Sequence, residues 1–293
     1  MENKIELAKK YSTLLDEVYT TEALTGDLEG DPDEVQQGAN ANELIIPKMD
    51  MQGLGDYGRN GGYVKGSVTM TSETVKCNFD RGRRFDIDKM DDLETAGIAF
   101  GRLAGEFERT KVVPELDAFR FAAYCSATGI SKKEDAFTDG QQVIAALSDA
   151  QAAMDNANVP SASRYLYITP DLLRKIDAMD TTKSRSVLDT FAGVKKVPQS
   201  RFYTAIKQLS GKDGEESGGY VKAEGAADLN FMIIEKSAVI QYTKHSVPKI
   251  IPPEYNADSD GYIFGYRNVS IADVYENKVA GIYASYKPVG VSK

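Results

Sequence analysis

Histidine is nearly missing from this sequence. His245, between Lys244 and Ser246, is the only one in 293 residues, which excludes a multi-histidine metal site and leaves one candidate base for a Ser-His-Asp arrangement. Cysteine is scarce as well. Cys77 and Cys125 lie far apart in the sequence, so no disulfide framework is expected, and each reads as a small buried apolar residue. Positive charge is in deficit, with 35 Lys and Arg against 44 Asp and Glu, a net charge of −9. Such a balance repels a phosphate backbone and argues against sequence-specific nucleic-acid binding. No run approaches the roughly 18 consecutive apolar residues that cross a bilayer. The first ten residues, Met1 to Lys10, carry no apolar core followed by a small-residue cleavage site. A soluble, unsecreted protein without membrane contact is expected.

Motifs of catalysis are equally sparse. Gly53-Leu-Gly55-Asp-Tyr-Gly58 matches the dinucleotide fingerprint in spelling only, since that fingerprint needs a strand before it and a helix opening within it. With Gly61 and Gly62 following at once, a loop is expected. Asn256, Asp258, Asp260 and Gly261 occupy the opening positions of a calcium loop, but Arg267 stands where a bidentate Glu is required. An Asx-rich turn is the better reading. No serine lies in a Gly-x-Ser-x-Gly elbow and no phosphate-binding Gly-rich loop with its Lys is present. No catalytic residue, cofactor or metal is expected, and a soluble hydrolase working through paired carboxylates has only the abundance of carboxylates in its favour.

The chain is long enough for about two compact units, and 42% hydrophobic with 27% charged residues is ordinary globular usage. Its organisation is less ordinary. A short helical pattern at Ile5, Leu7, Ala8, Tyr11, Leu14, Leu15 and Val18 gives way to an acidic stretch, Gly26 to Glu34, without periodicity. So few apolar residues cannot offset the entropy of ordering, so this arm is expected to need a neighbour to hold it. After the five glycines of Gly53 to Gly62, two β-prone runs, Tyr63 to Thr69 and Thr74 to Phe79, predict a hairpin turning at Met70 to Glu73. It too has little apolar material of its own and should lean on another surface.

From Asp91 or Asp92, both good N-caps, Leu93, Ala96, Phe100, Leu103 and Phe107 form the stripe of a long amphipathic helix. Phe107 and Leu116 would face opposite sides of an unbroken helix, so either the axis kinks at Pro114 or a second helix starts there. The stripe resumes at Leu116, Phe119, Ala123 and Ala127. Asp139 caps a further helix with Val143, Leu147, Ala150 and Met154 inward, closed by Asn158-Val-Pro160. Tyr165 to Ile168 is a strand, Thr169-Pro170-Asp171 a helix start with Leu172, Leu173 and Ile176 inward, and Ser210 to Gly219 an exposed polar loop. Leu229 to Ile234, Val239-Ile240, Tyr262 to Phe264 and Ile282 to Tyr286 are strands with no long helix between them. The class is α+β.

Two charged clusters stand out. Arg81, Arg83 and Arg84 beside Asp80, Asp86 and Asp88 sit at the root of the hairpin, where guanidinium forks could grip carboxylates of an adjacent subunit. Glu106, Glu108, Arg109, Lys111, Glu115, Asp117 and Arg120 would ring the long helix around Pro114. The plain alternative for both is solvated surface pairing.

This order of parts resembles the Hong Kong 97-type capsid fold of tailed bacteriophages. Gly105-Glu-Phe-Glu-Arg-Thr-Lys-Val-Val-Pro-Glu-Leu-Asp-Ala-Phe-Arg-Phe121 is similar to its spine-helix segment. Arg164 to Pro170, Val197 to Arg201 and Phe231 to Ala238 resemble segments of its axial domain. The resemblance implies an N-arm at 1–52, an extended loop at 53–85, a spine helix at 86–135, an axial α/β domain at 136–245 and a peripheral sheet at 246–293. It further implies a major capsid protein that assembles into pentamers and hexamers of an icosahedral shell around double-stranded DNA, made in the host cytoplasm and resident in the virion. Partners would be identical copies, a portal protein and, since the arm starts close to Met1, a separate scaffolding protein. Some family members cross-link a loop lysine to an asparagine. Lys65 lies in the loop and Asn268 and Asn277 in the peripheral region, but their surroundings in sequence assign no such bond. An encapsulin-like nanocompartment is the alternative within the same fold.

Overall fold

The computed structural model describes residues 23–30, 36–37, 43–59, 61–88, 105–179, 186–257 and 259–289. The helical pattern at 5–18 and the first part of the long helix, 91–104, lie outside the described residues.

A hairpin forms near the start of this region, but not with the strands expected. Strand β1 (Gln36–Gln37) pairs with β2 (Glu43–Met51), which pairs antiparallel with β3 (Val68–Lys76). The proposed turn at Met70 to Glu73 is the middle of β3, and the reversal is made by residues 52–67. Met70 to Glu73 contain no Gly, Pro or Asn, whereas the glycine run offers positive φ, as at Gly62 (φ 72°). Val68, Thr69, Thr71, Thr74 and Val75 are β-branched and suit a continuous strand. Strand β4 (Phe79–Asp88) follows and leaves this sheet for another.

The helix is described from residue 105. A π-helical turn, Glu108–Val112, leads without interruption into α1 (Val113–Ser126), with Pro114 in its first turn. The backbone stays helical through the junction. Proline has no N–H to give, and the wider i→i+5 turn before it tolerates the missing bond while shifting the helical phase. That shift lets two apolar stripes that are out of step on a regular helix both find cover. Phe107 meets Phe85, Phe264 and Tyr266, while Leu116 is buried further on.

Next come β5 (Ser131–Glu134), α2 (Gly140–Asn156), β6 (Arg164–Ile168), α3 (Pro170–Asp177), β7 (Gly193–Lys196), β8 (Ile206–Gln208), β9 (Tyr220–Lys222) and β10 (Leu229–Glu235). Asp139 caps α2 as expected, accepting from the Gln142 amide at 2.9 Å. The stripe Val143, Leu147, Ala150, Met154 is buried, as are Leu172, Leu173 and Ile176 of α3. Thr169 takes the N-cap place of α3 but makes no capping bond with its side chain.

The chain ends with β11 (Val239–Ile251), β12 (Gly261–Val274) and β13 (Ile282–Tyr286). A five-stranded mixed sheet runs β5-β13-β10-β6-β7, and a three-stranded antiparallel sheet runs β11-β12-β4. So β13, expected in a separate C-terminal sheet, lies beside β10 at the centre of the α/β unit. The expected boundary at 245/246 falls inside β11. Every residue of β10 is buried. Its continuous apolar run reflects cover on both faces: Phe231 and Ile233 pack with α2 and α3, Met232 and Ile234 with Phe121, Tyr124 and Phe202. Among the described residues no helix is long and apolar enough to cross a membrane.

Candidate assembly surfaces

The hairpin reversal presents apolar side chains to solvent. Leu54 is fully exposed, Tyr63 is 89% exposed, and Met51, Val64, Val68 and Met70 are each more than 60% exposed. The loop has some order of its own: Gly58 and Gly62 bridge, and the rings of Tyr57 and Tyr63 meet edge-on with centroids 5.0 Å apart. These contacts turn the apolar groups outward instead of hiding them. Exposed Lys65 lies among them. Contiguous apolar exposure of this kind marks a surface that another molecule covers.

At the root of β4 the arginines behave differently from expectation. Arg81 donates from Nε to Glu115 Oε1 at 2.8 Å and from one Nη to the carbonyls of Leu209 and Gly219 at 2.7 and 3.2 Å. Arg83 donates to the Glu216 carbonyl at 2.8 Å. Arg81 thus ties the loop 209–219 to the helix, and Arg83 ties it to β4, all within one chain. Burial raises the Glu115 carboxyl, and the Arg81 guanidinium pulls it back down. Within the loop Glu215 accepts from Lys207 and the Ser210 amide, which lowers it to about 2. Arg84 pairs with Asp86 at 2.8 Å, and Glu106 with Arg109, in solvent. Asp88 ends β4, where it faces Gly261. Arg267 forks onto Asp80 at 2.7 and 2.8 Å, and the Asn256 amide donates to the Ser259 hydroxyl and the Gly261 carbonyl while its oxygen accepts from the Ser259 amide; Asp258 of the expected turn lies outside the described residues. Asn268 is buried and Asn277 exposed.

Asp117 and Arg120 contradict the surface reading outright. Both are fully buried and cannot reach an adjacent subunit in this fold. Asp117 accepts from the amides of Leu24 and Thr25 at 3.2 Å and from the Thr25 hydroxyl at 2.7 Å, with Arg201 at 3.4 Å. Arg120 donates to Thr25 Oγ1 and Glu29 Oε2, both at 3.0 Å. Gln241 donates to the Thr25 carbonyl and to Glu29, each at 2.8 Å, and accepts from the Tyr124 hydroxyl at 2.6 Å. Burial raises the Asp117 carboxyl, opposed by the Thr25 hydrogen bond and then by the Arg120 charge.

These partners overturn part of the arm expectation. Residues 23–30 are held by their own chain, with Thr25 and Leu28 buried and a 3-10 turn at Gly26–Leu28. The residues missed are Thr25, Glu29 and Gln241. One signal was available: Asp117 shares a helix face with Phe121, Tyr124 and Cys125, four, seven and eight positions on, and a charge within an apolar stripe announces a buried partner.

No protein-family profile matches the chain, and no curated protein matches it. Solved structures do. A Gordonia phage Cozz structure superposes with a TM-score of 0.60 at 11% identity, covering 92% of this chain and 87% of that one. The capsid of the cyanophage P-SCSP1u gives 0.54 at 13% identity over 86% and 85%. The virus-like particle from Pyrococcus furiosus gives 0.57 at 10% identity over 97% and 100%. At such identities what is shared is the path of the backbone: the chain has the Hong Kong 97-type fold of phage capsid subunits.

Proposed function

We propose that this protein is a shell-forming structural subunit, the major capsid protein of a tailed phage, which self-assembles into pentamers and hexamers of an icosahedral shell around double-stranded DNA. The observation that carries this reading is the hairpin of β2 and β3, whose loop displays Leu54, Tyr63 and Val64 to solvent with little cover from the described residues of its own chain. A heterologous contact that repeats around a ring covers such a loop on each copy by the next. The net charge of −9 fits a wall along which packaged DNA slides without being gripped. The portal protein and a separate scaffolding protein are the further partners, and the virion is the location. Arg84, Asp86, Asp88, Glu106, Arg109 and Lys65, which face outward or lie at the hairpin root, are the charged groups proposed for contacts between copies.

A second reading has one observation in its favour: the virus-like particle from Pyrococcus furiosus is covered end to end by this chain. On that reading the shell encloses cargo proteins in place of a genome. Negative-stain microscopy of the purified protein tests both. Uniform polyhedra or capsomer rings are expected, and a dispersed monomer at high concentration would refute shell formation. Nucleic acid or protein recovered from inside particles made in the native host separates the two readings.

A further inference from the structure

Three features of the fold meet at the segment 23–30. First, its grip is chiefly polar: Asp117, Arg120 and Gln241 bond its backbone and side chains, Gly30 donates to the Gln241 carbonyl at 2.9 Å, and Asp27 pairs with Lys195 at 2.6 Å. Leu28 is its one fully buried apolar anchor, with Leu24 partly covered. Second, the body side of this grip is able to neutralise itself. Asp117 and Arg120 are three residues apart on α1, on adjacent positions of one face, and Arg201 is already 3.4 Å from Asp117. Withdrawing the segment therefore leaves a carboxylate beside two guanidinium groups, not a stranded charge. Third, the segment runs by way of residues 31–35 into β1 and so into β2, one side of the exposed hairpin. The other side is fixed by β4, which pairs with β12 over its whole length and is riveted by Arg81 to Glu115 and by Arg267 to Asp80.

We propose that Asp117, Arg120 and Gln241 form a releasable latch on residues 23–30, which sets the reach of the hairpin by letting its N-terminal side detach while the remainder of the fold stays intact. The positioning role belongs to Asp117 and Arg120, and the released element is the tether of β2. Use of the latch during assembly rests on the shell reading given above, but the latch itself is a property of the single chain. Opening costs these hydrogen bonds, the Asp27–Lys195 and Glu29–Arg120 pairs and the cover of Leu28 and Leu24, and it is helped by the backbone freedom that Gly26 and Gly30 regain on release. Gly30 lies so close to Tyr242 that a Cβ there would come within 2.5 Å of the ring, so the docked position fits one backbone path only.

Native-state hydrogen exchange on the full chain, under conditions where it is unassembled, tests this. Thr25, Gly26, Leu28 and Gly30 amides are expected to exchange through an opening that leaves Phe231 to Glu235 of β10 protected. The double substitution Thr25→Val with Glu29→Gln acts from the arm side only, deleting the bonds of the Thr25 hydroxyl and removing the charge that strengthens those from Arg120 and Gln241 to Glu29. It is expected to speed exchange of the segment by about 10- to 100-fold without changing β10. Equal protection of segment and β10 in the native protein, or loss of β10 protection in the double variant, or failure of that variant to fold, would each overturn the latch, since the segment would then be an integral part of the core. Failure to form shells with the exchange result intact would count against the proposed function alone.

Discussion

The arm root at 23–30 and the hairpin loop at 52–67 look alike in composition, both short of apolar residues and rich in glycine and polar groups. In the fold they are opposites. Thr25 is fully buried among groups that match its donors and acceptor, while Leu54, a far more apolar residue, stands in solvent. The difference lies in partners, not in hydrophobicity. A polar segment is held when a buried carboxylate, guanidinium and amide are shaped to its backbone, and the few apolar side chains of a loop are left open when the described residues of its own chain offer them no face. Dependence on a neighbour is thus a question to ask of a segment's surroundings.

That contrast can be broken by mutation, measured on the unassembled chain by denaturant unfolding. The largest effect is expected from Arg120→Met, which removes the buried partner of Glu29 and Thr25 and one of the two guanidinium charges near Asp117, and should cost about 3–5 kcal/mol. A loss of a few tenths would show that the arm root is not held as described. Gly30→Ala forces a methyl into the Tyr242 ring and is expected to cost about 1–3 kcal/mol, with a new near-ultraviolet signature of tyrosine. Tyr124→Phe deletes only the hydroxyl bonded to Gln241 and should cost about 1 kcal/mol. Smallest of all, Leu54→Ser combined with Tyr63→Ser is expected to stay within about 0.5 kcal/mol of the parent, yet to abolish particles seen by microscopy. Normal particles from that variant would remove the hairpin from any role in assembly.

Acid offers a separate check on the loop 209–219. The Glu215 carboxyl is held at about 2, below its ordinary value, by bonds from Lys207 and the Ser210 amide. Its contribution is therefore complete above the ordinary carboxylate range and is lost only as pH falls toward about 2. Exchange of the Ser210 amide should follow that titration, and a midpoint at the ordinary glutamate value would contradict the bonds described.

Much of the fold was legible because its signals are local. The Asp139 cap, the Val143 to Met154 stripe, the Thr169-Pro170 helix start and the strand at Leu229 to Ile234 each depend on residues within a few positions of one another. The failures share a different character. The sequence points to a hairpin one element too late because β-propensity alone marks a strand without marking its partner, and β2 contains Pro47, Lys48 and Asp50. Asp117 and Arg120 look like surface in the sequence because their partners lie 92 and 91 positions away, at Thr25 and Glu29. The place of β13 beside β10 is likewise a long-range pairing that no window of sequence contains.

That last pairing governs when the molecule can exist. In the order β5-β13-β10-β6-β7, the strand Ile282–Tyr286 is wedged between a strand made at residues 131–134 and another made at 229–235. A nascent polypeptide emerging from the ribosome therefore holds an open β10 edge, apolar from Phe231 to Ile234, until residue 286 has cleared, so the centre of the sheet is the last part to close. Closure of this sheet is thus the last step in making the body of the fold, and any surface that depends on it is complete only afterwards.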